Sequence, residues 1–540
     1  MKKTLYIFWF CALFVNCNTE DRDDAELNVV SEDSSPGTEI NSPGTEINSL
    51  ETEINDFIWE GLNTWYYWQQ DVPDLADSKT DDVTSYINFL NSKPNPESFF
   101  DGLLHEDDRI RFGEGRRFSW ISDDYRELEN QLSGISASDG MKFILYAPVN
   151  TNKIIGAVSY VLPNSNAAEK GLIRGDLFNS INGVEMTRDN YSVLLDAIGN
   201  EYSISLVNFD SENNTFIPRN IEITLVKEEN FQEVPIHKNT IIEHNGLKVG
   251  YLMLNRFLSS VDSDNDGQVD RNFNQEMVDT FAEIEAENID EMVLDLRYNG
   301  GGSVLNGVYL ASLLTGQFTG EVFIKQLWNN KLNAYIDRVN NDNDSTNDLD
   351  FNDYFTNIAP DGSTFNGLNL SRLYVLTSRR TASASEMVIN GLDPYISEVV
   401  VIGEATYGKN VGSITLKDYL DKGSTQDTIN PRHFYAMQPI VIKVANVNDE
   451  AEYVDGIPPT IEKLEDFGNY GILGDPDEPM LSIALSHMTG SLKGDHTTGK
   501  DYAIPSIILP EEESLQQMIY DRPNMKIKKI LNKRKLTQKN

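Results

Sequence analysis

One serine-rich turn, one lysine and one run of glycines carry the chemistry that this sequence could perform. The turn reads TASASE over residues 381–386 and holds Ser383 and Ser385; the lysine, Lys409, closes GEATYGK at 403–409; the glycines Gly300, Gly301 and Gly302 end DLRYNGGG at 295–302. A serine that attacks a carbonyl needs a group to take its proton, usually histidine, and the stretch 381–409 has none. Lys409 is the nearby base of suitable kind, and it could serve if desolvated, because burial disfavours the ammonium. Two readings of the stretch stand side by side: a nucleophile with a lysine base, or a serine-capped helix followed by an exposed lysine. The glycine run favours the first, since a turn without side chains lets a backbone N–H approach a substrate oxygen. The start of the helix after Ser383 supplies further N–H groups that favour developing negative charge.

A second constellation is DSDNDGQVD at 262–270, where Asp262, Asp264, Asp266 and Asp270 surround Gly267 as in the first half of an EF-hand loop. The twelfth position is Phe273 rather than the bidentate glutamate, so a partial calcium site and an acidic surface loop are equal readings. No cofactor is required by the serine chemistry; structural calcium is the one ion the sequence suggests.

The elements that must position these groups can be read from the rest of the chain. At 540 residues, with 39% hydrophobic and 10% aromatic content, three or four domains are expected. The formal net charge of −41 repels phosphate backbones, which argues against nucleic acid and for cations or basic peptides as partners. Both cysteines, Cys11 and Cys17, lie in the first twenty residues, so the folded part has no disulfide, thiol nucleophile or cysteine metal site. Lys2 and Lys3 precede an apolar run at 5–15, too short to span a bilayer but suited to a signal peptide. FVNC at 14–17 resembles a lipoprotein cleavage site, which would make Cys17 the lipidated residue; a plain secretory signal is the alternative. Either way the expected location is the cell envelope, with an anchor at the periplasmic or outer-membrane surface.

After the signal (1–17), residues 18–55 read as a flexible tether in which SPGTEIN at 35–41 recurs at 42–48 and as SLETEIN at 49–55. Residues 56–134 form an aromatic-rich N-terminal domain, with a helix capped by Asp56 and a second one capped by Ser122 and running to 132. Its rings, Trp59, Trp65, Tyr66, Tyr67, Trp68 and Trp120, read as core, with a carbohydrate platform as the alternative. Residues 135–228 contain strands near 143–147, 154–162, 202–208 and 220–226 and a hairpin signal at Asn182-Gly183, and the domain resemblance given below implies a further helix at 188–198. From 240 to 485 helices and strands alternate, the pattern of an α/β domain. An extension over 486–540 ends in a basic tail, with eight Lys or Arg in its last twenty residues, which either folds back on acidic surface or stays solvated.

DLRYNGGG, TASASE, GEATYGK and the later Gly456-IPP resemble the C-terminal processing (tail-specific) proteases, the S41 serine peptidases, over roughly residues 135–480. The segment NAAEKGLIRGDLFNSINGVEM at 166–186 resembles the helix-turn-strand signature of a PDZ domain, which takes extended peptides, often by their C-termini, onto a sheet edge. The resemblance implies an α/β fold with a crotonase/ClpP-like core and an inserted PDZ domain, to which the helices read over 56–134 add a small helical N-terminal domain. It implies Ser383 as nucleophile and Lys409 as general base, with Glu386 supporting the helix start and Ser385 structural. It implies oxyanion donors at the N–H of Ala384 and of Gly300 or Gly301. Many members carry a glutamine four residues after the lysine, where this chain has Ser413, and the serine-to-lysine spacing is one residue longer, with the extra residue expected in 393–397. The implied activity is hydrolysis of peptide bonds in protein substrates. The rivals are a catalytically inactive peptide-binding lipoprotein and an acyl-CoA-handling crotonase, which an exported chain would rarely find CoA to serve.

Overall fold

The computed structural model describes residues 49–108, 117–213, 215–261, 269–341, 349–420, 428–492, 506–507 and 518–519. Its centre is a six-stranded sheet in the order Ile236–His244, Leu247–Leu254, Glu291–Asp295, Arg372–Thr377, Glu398–Gly403 and Ile461–Glu462. The first two strands form an antiparallel pair, and every later neighbour is parallel. Parallel strands need crossover helices, which cover the sheet and make its strands apolar on both faces. The sequence obeys this with period two. Leu252, Leu254, Met292, Leu294, Leu373, Val375 and Val401 join one core cluster, which contains buried residues of the helices Phe273–Ala286, Val304–Thr315 and Ala384–Leu392. Val249, Tyr251, Met253, Val293, Tyr374, Leu376, Val400 and Ile402 join a second cluster with the helix Pro479–Met488.

A further six-stranded sheet runs Gly302–Ser303, Met518–Ile519, Val411–Ser413, Ile440–Ala445, Val322–Trp328 and Asp353–Tyr354. The region after the N-terminal helices forms a sheet ordered Ser506–Ile507, Met141–Tyr146, Ile155–Val161, Leu177–Ile181, Glu201–Asp210 and Thr215–Val226, with Val184–Glu185 paired onto Leu177–Ile181. Asn182 and Gly183 both take positive φ, 49° and 74°, as a tight hairpin between twisted strands requires.

Three local expectations are corrected. The first helix, Leu50–Trp65, starts inside the stretch expected to be tether, because the third repeat copy has lost the Pro-Gly pair and offers Ser49, whose hydroxyl accepts from Thr52 N–H at 3.1 Å. Asp56 therefore lies within that helix and caps nothing; its carboxylate accepts from Tyr86 Oη at 2.6 Å. The helix expected to be capped by Ser122 is Tyr125–Leu132, capped by Asp124, while Trp120–Ser122 is a strand paired with Ala436–Gln438. The helix expected at 188–198 is the shorter Tyr191–Asp196. Trp59, Trp65 and Tyr66 are buried in the N-terminal helical cluster or against the main core.

Cys17 and the residues Asp262, Asp264 and Asp266 lie outside the described residues, as does most of the basic tail. Among the described residues no cluster of three acidic, histidine or cysteine side chains could hold a metal, and no helix is long and apolar enough to cross a membrane.

Candidate active site

Two adjacent parallel strands end side by side, and their continuations carry two of the chemical groups. Glu291–Asp295 leads into the glycine turn; Arg372–Thr377 leads into the serine turn. Hydrogen bonds weld the turns together. Thr381 Oγ1 donates to Leu296 O at 2.8 Å, Ala382 N–H to Asn299 O at 3.1 Å, and Ser385 Oγ to the same Asn299 O at 3.0 Å. Ser385 thus ties the two turns together.

Ser383 has φ 64° and ψ −115°, a backbone conformation that costs a non-glycine residue about 1–3 kcal/mol and persists only where surroundings impose it. That turn sets Ser383 at the mouth of the helix Ala384–Leu392. Its Oγ is buried and has no hydrogen-bond partner among the described residues. The Glu386 carboxylate is what holds the turn. It is fully buried and accepts from Ser383 N–H (2.7 Å), Thr406 Oγ1 (2.5 Å), Gly408 N–H (2.6 Å) and Lys409 N–H (2.8 Å). One carboxylate therefore fastens the backbone of the candidate nucleophile to the backbone of the candidate base. Sequence reasoning gave Glu386 only the helix start; its reach to 406–409 depends on the fold.

The glycine turn is equally constrained. Gly302 has φ +131°, and a Cβ there would sit 2.0 Å from Phe257 O. Gly301 N–H donates to Asn299 Oδ1 at 2.9 Å, so of the two glycines expected as oxyanion donors only Gly300 keeps its N–H out of a hydrogen bond among the described residues. The same holds for Ala384 N–H. Beneath the turn, the fully buried Arg297 guanidinium pairs with Asp295, Glu465 and Glu478 at 2.8, 3.0 and 2.7 Å. Tyr298 Oη donates to Glu465 Oε1 at 2.5 Å, and Arg174, between the helix Asn166–Glu169 and the strand Leu177–Ile181, pairs with the same carboxylate at 2.8 Å.

Lys409 is 2% exposed. Burial lowers its pKa from 10.5 to about 7, against the negative charges of Asp108 and Glu386, which pull it upward. Its Nζ lies 4.8 Å from the centroid of the Phe118 ring. Phe118 and Asp108 come from the N-terminal region, and no local signal marked them, since their partner lies some three hundred residues away in sequence. Asp108 is buried and fixes the segment: its Oδ1 accepts from Phe118 N–H (2.9 Å) and Ser119 N–H (3.0 Å), and its Oδ2 from Tyr66 Oη (2.9 Å). Ser413 is buried in the strand Val411–Ser413.

Comparison with known proteins bears on this arrangement. A model described as peptidase family S41 matches residues 248–427, and one described as the peptidase S41 N-terminal domain matches 53–120. A carboxyl-terminal-processing protease of Picosynechococcus sp. is 24% identical over 298 residues, 53% of this chain and 58% of that protein, so the chain aligns with less than two thirds of this relative. A crystal structure assigned to the S41 proteases, from Bacteroides fragilis, superposes with a TM-score of 0.60 at 27% identity, covering 81% of this chain and 98% of that one. These matches span the segments that carry Phe118, the glycine turn, Ser383 and Lys409, so both the catalytic region and the N-terminal region of this chain are similar to the corresponding domains of peptidase family S41.

Proposed function

We propose that this protein is a serine endopeptidase working through Ser383 and Lys409. The observation that carries the reading is the tie made by Glu386: it joins a strained serine turn to a buried lysine whose pKa, about 7, leaves a neutral amine available near physiological pH. Ser383 Oγ attacks the scissile carbonyl as its proton passes to Lys409 Nζ. The N–H groups of Ala384 and Gly300 receive the oxyanion of the tetrahedral intermediate. Collapse expels the amine, which takes the proton back from Lys409, and water then hydrolyses the acyl-enzyme with Lys409 again as base. Because Ser383 Oγ has no hydrogen-bond partner among the described residues, its hydrogen bond to Lys409 forms as substrate enters, as catalytic hydrogen bonds commonly do.

Several finer features belong to this proposal. The core is taken as crotonase/ClpP-like, and residues 135–228 as a PDZ-type module that docks extended peptides; the hairpin at Asn182-Gly183 and the short helices Asn166–Glu169 and Tyr191–Asp196 support it. Phe118 and Asp108 act as positioning residues for Lys409, in place of the glutamine absent at 413. Export and lipidation at Cys17 rest on the sequence at 2–17, and a weak calcium site on 262–270. Substrates are proteins or peptides.

Cleavage of a denatured protein such as casein tests the reading. Ser383→Ala should lower kcat/KM by at least about 10⁴-fold, whereas Ser385→Ala should stay within about tenfold, having lost one hydrogen bond of about 1 kcal/mol. Activity should rise with pH through a midpoint near 7 as Lys409 loses its proton. Retention of cleavage by Ser383→Ala sinks the assignment, and no cleavage by the native chain favours the peptide-binding alternative.

A further inference from the structure

The sheet whose strands follow the glycine turn and Lys409 contains a strand from an unexpected place. Met518–Ile519, from the C-terminal extension, lies between Gly302–Ser303 and Val411–Ser413 and runs parallel to both. Its partners are Gly302 and Ser303 on one side and Ser413 on the other. Gly302 follows the candidate oxyanion donor Gly300 by two residues, and Ser413 follows Lys409 by four. The tail strand thus bridges the two elements that carry the oxyanion turn and the base. Ile519 is 9% exposed, so its side chain is seated rather than resting on the surface.

The same extension makes a second strand contact. Ser506–Ile507 pairs antiparallel with Leu145 and Tyr146 and forms the outer strand of the sheet built from residues 141–226, beside Met141–Tyr146. Adding a strand to a sheet edge is how peptide-docking modules hold extended ligands, with main-chain hydrogen bonds giving affinity. The basic residues beyond 521 add a positive end to a chain of net charge −41, which favours association of the tail with the rest of the protein.

We propose that the C-terminal extension is an intramolecular ligand of the peptidase cleft. Met518–Ile519 occupies the strand position that a peptide substrate takes between the glycine turn and the base strand, and Ser506–Ile507 occupies the docking edge. The inference rests on the peptidase reading of the cleft, and it specifies the substrate further. The favoured substrate is an extended segment with apolar side chains, pairing in parallel with 302–303 and 413, and the docking edge accepts an internal segment without needing a free terminal carboxylate. Substrates must then displace the tail.

Binding measured in the full chain tests this separately from catalysis. A fluorescein-labelled peptide of residues 506–521 is titrated into Ser383→Ala and into Ser383→Ala/Ile519→Pro, where proline removes the strand's N–H donor. Binding at least tenfold tighter to the double variant is expected, because its own tail no longer competes. Equal binding to both, or none to either, overturns the proposal. Should the proline variant fail to fold, Ile519→Asp in the same background expels the seated Ile519 side chain, and the same tenfold gain is required. With Ser383 intact, Ile519→Pro should lower KM for a peptide substrate about tenfold with kcat unchanged. An unaltered KM refutes the inference while leaving the peptidase reading intact; cleavage that persists in Ser383→Ala refutes that reading while leaving the binding result in force. The native KM should not change with enzyme concentration. A KM that falls on dilution overturns occupancy by the chain's own tail in favour of the tail of a second copy.

Discussion

The lysine proposed as general base should weaken the fold wherever the solution would protonate it. Burial holds Lys409 at about 7 instead of its ordinary 10.5, even with Asp108 and Glu386 pulling the other way. At about 1.4 kcal/mol per pH unit, the gap between 10.5 and about 7 amounts to about 5 kcal/mol. Between those limits the unfolded chain binds the proton and the folded chain does not, so stability rises with pH from about 7 to 10.5 and the full penalty applies below about 7. Lys409→Met keeps the apolar stem and removes the amine. At pH 6 the variant should need about 5 kcal/mol more to unfold than the native chain, and near pH 10.5 the two should agree within about 1 kcal/mol. Urea unfolding followed by tryptophan fluorescence at the two pH values reads the difference from the midpoint at constant m. Peptide cleavage should be lost throughout. A gain of equal size at both pH values, or a variant less stable than native at pH 6, refutes the claim that burial of this amine costs the fold its stability.

Three further outcomes follow from the same geometry. Asp108→Asn removes a negative charge that raises the Lys409 pKa, so the acid limb of the kcat/KM profile should move to lower pH; an upward or absent shift would show that this carboxylate does not act on the base. Glu386→Gln offers one carbonyl oxygen where two carboxylate oxygens now serve four donors, leaving about two of them unpaired. At about 1–3 kcal/mol for each buried orphan it should cost about 2–6 kcal/mol in urea unfolding and abolish cleavage. Gly302→Ala forces a Cβ to within 2.0 Å of Phe257 O at φ +131°, and a loss of at least about 3 kcal/mol, or no soluble protein, is expected on expression and thermal melting.

The parts legible in the sequence are those written over short spans. The apolar strand before Gly300, the small-residue turn before the helix Ala384–Leu392 and the glycine before Lys409 each declare their conformation within a few residues. The α/β alternation and the Asn182-Gly183 hairpin were readable for the same reason, since periodicity and turn chemistry are local. What escaped depends on contacts across the chain. Nothing around Asp108 or Phe118 announces a lysine at 409, and nothing around Met518 announces a strand beside Gly302. The first helix begins at Leu50 because one repeat copy traded Pro-Gly for Leu-Glu, and the repeat, read as a unit, concealed that exchange. Gly301 looked equivalent to Gly300 until the Asn299 side chain was seen to claim its N–H.

The Glu386 carboxylate also bears on how such a chain can vary over time. Because the backbones of Ser383, Gly408 and Lys409 all hang from it, the distance between the two reactive side chains is set by one group and not by the number of residues joining them. Residues 393–397, which turn from the end of the helix into the strand Glu398–Gly403, lie outside those hydrogen bonds. That turn is where a lineage could gain or lose a residue without disturbing the register of the reactive pair, whereas an insertion within 403–409 would break it.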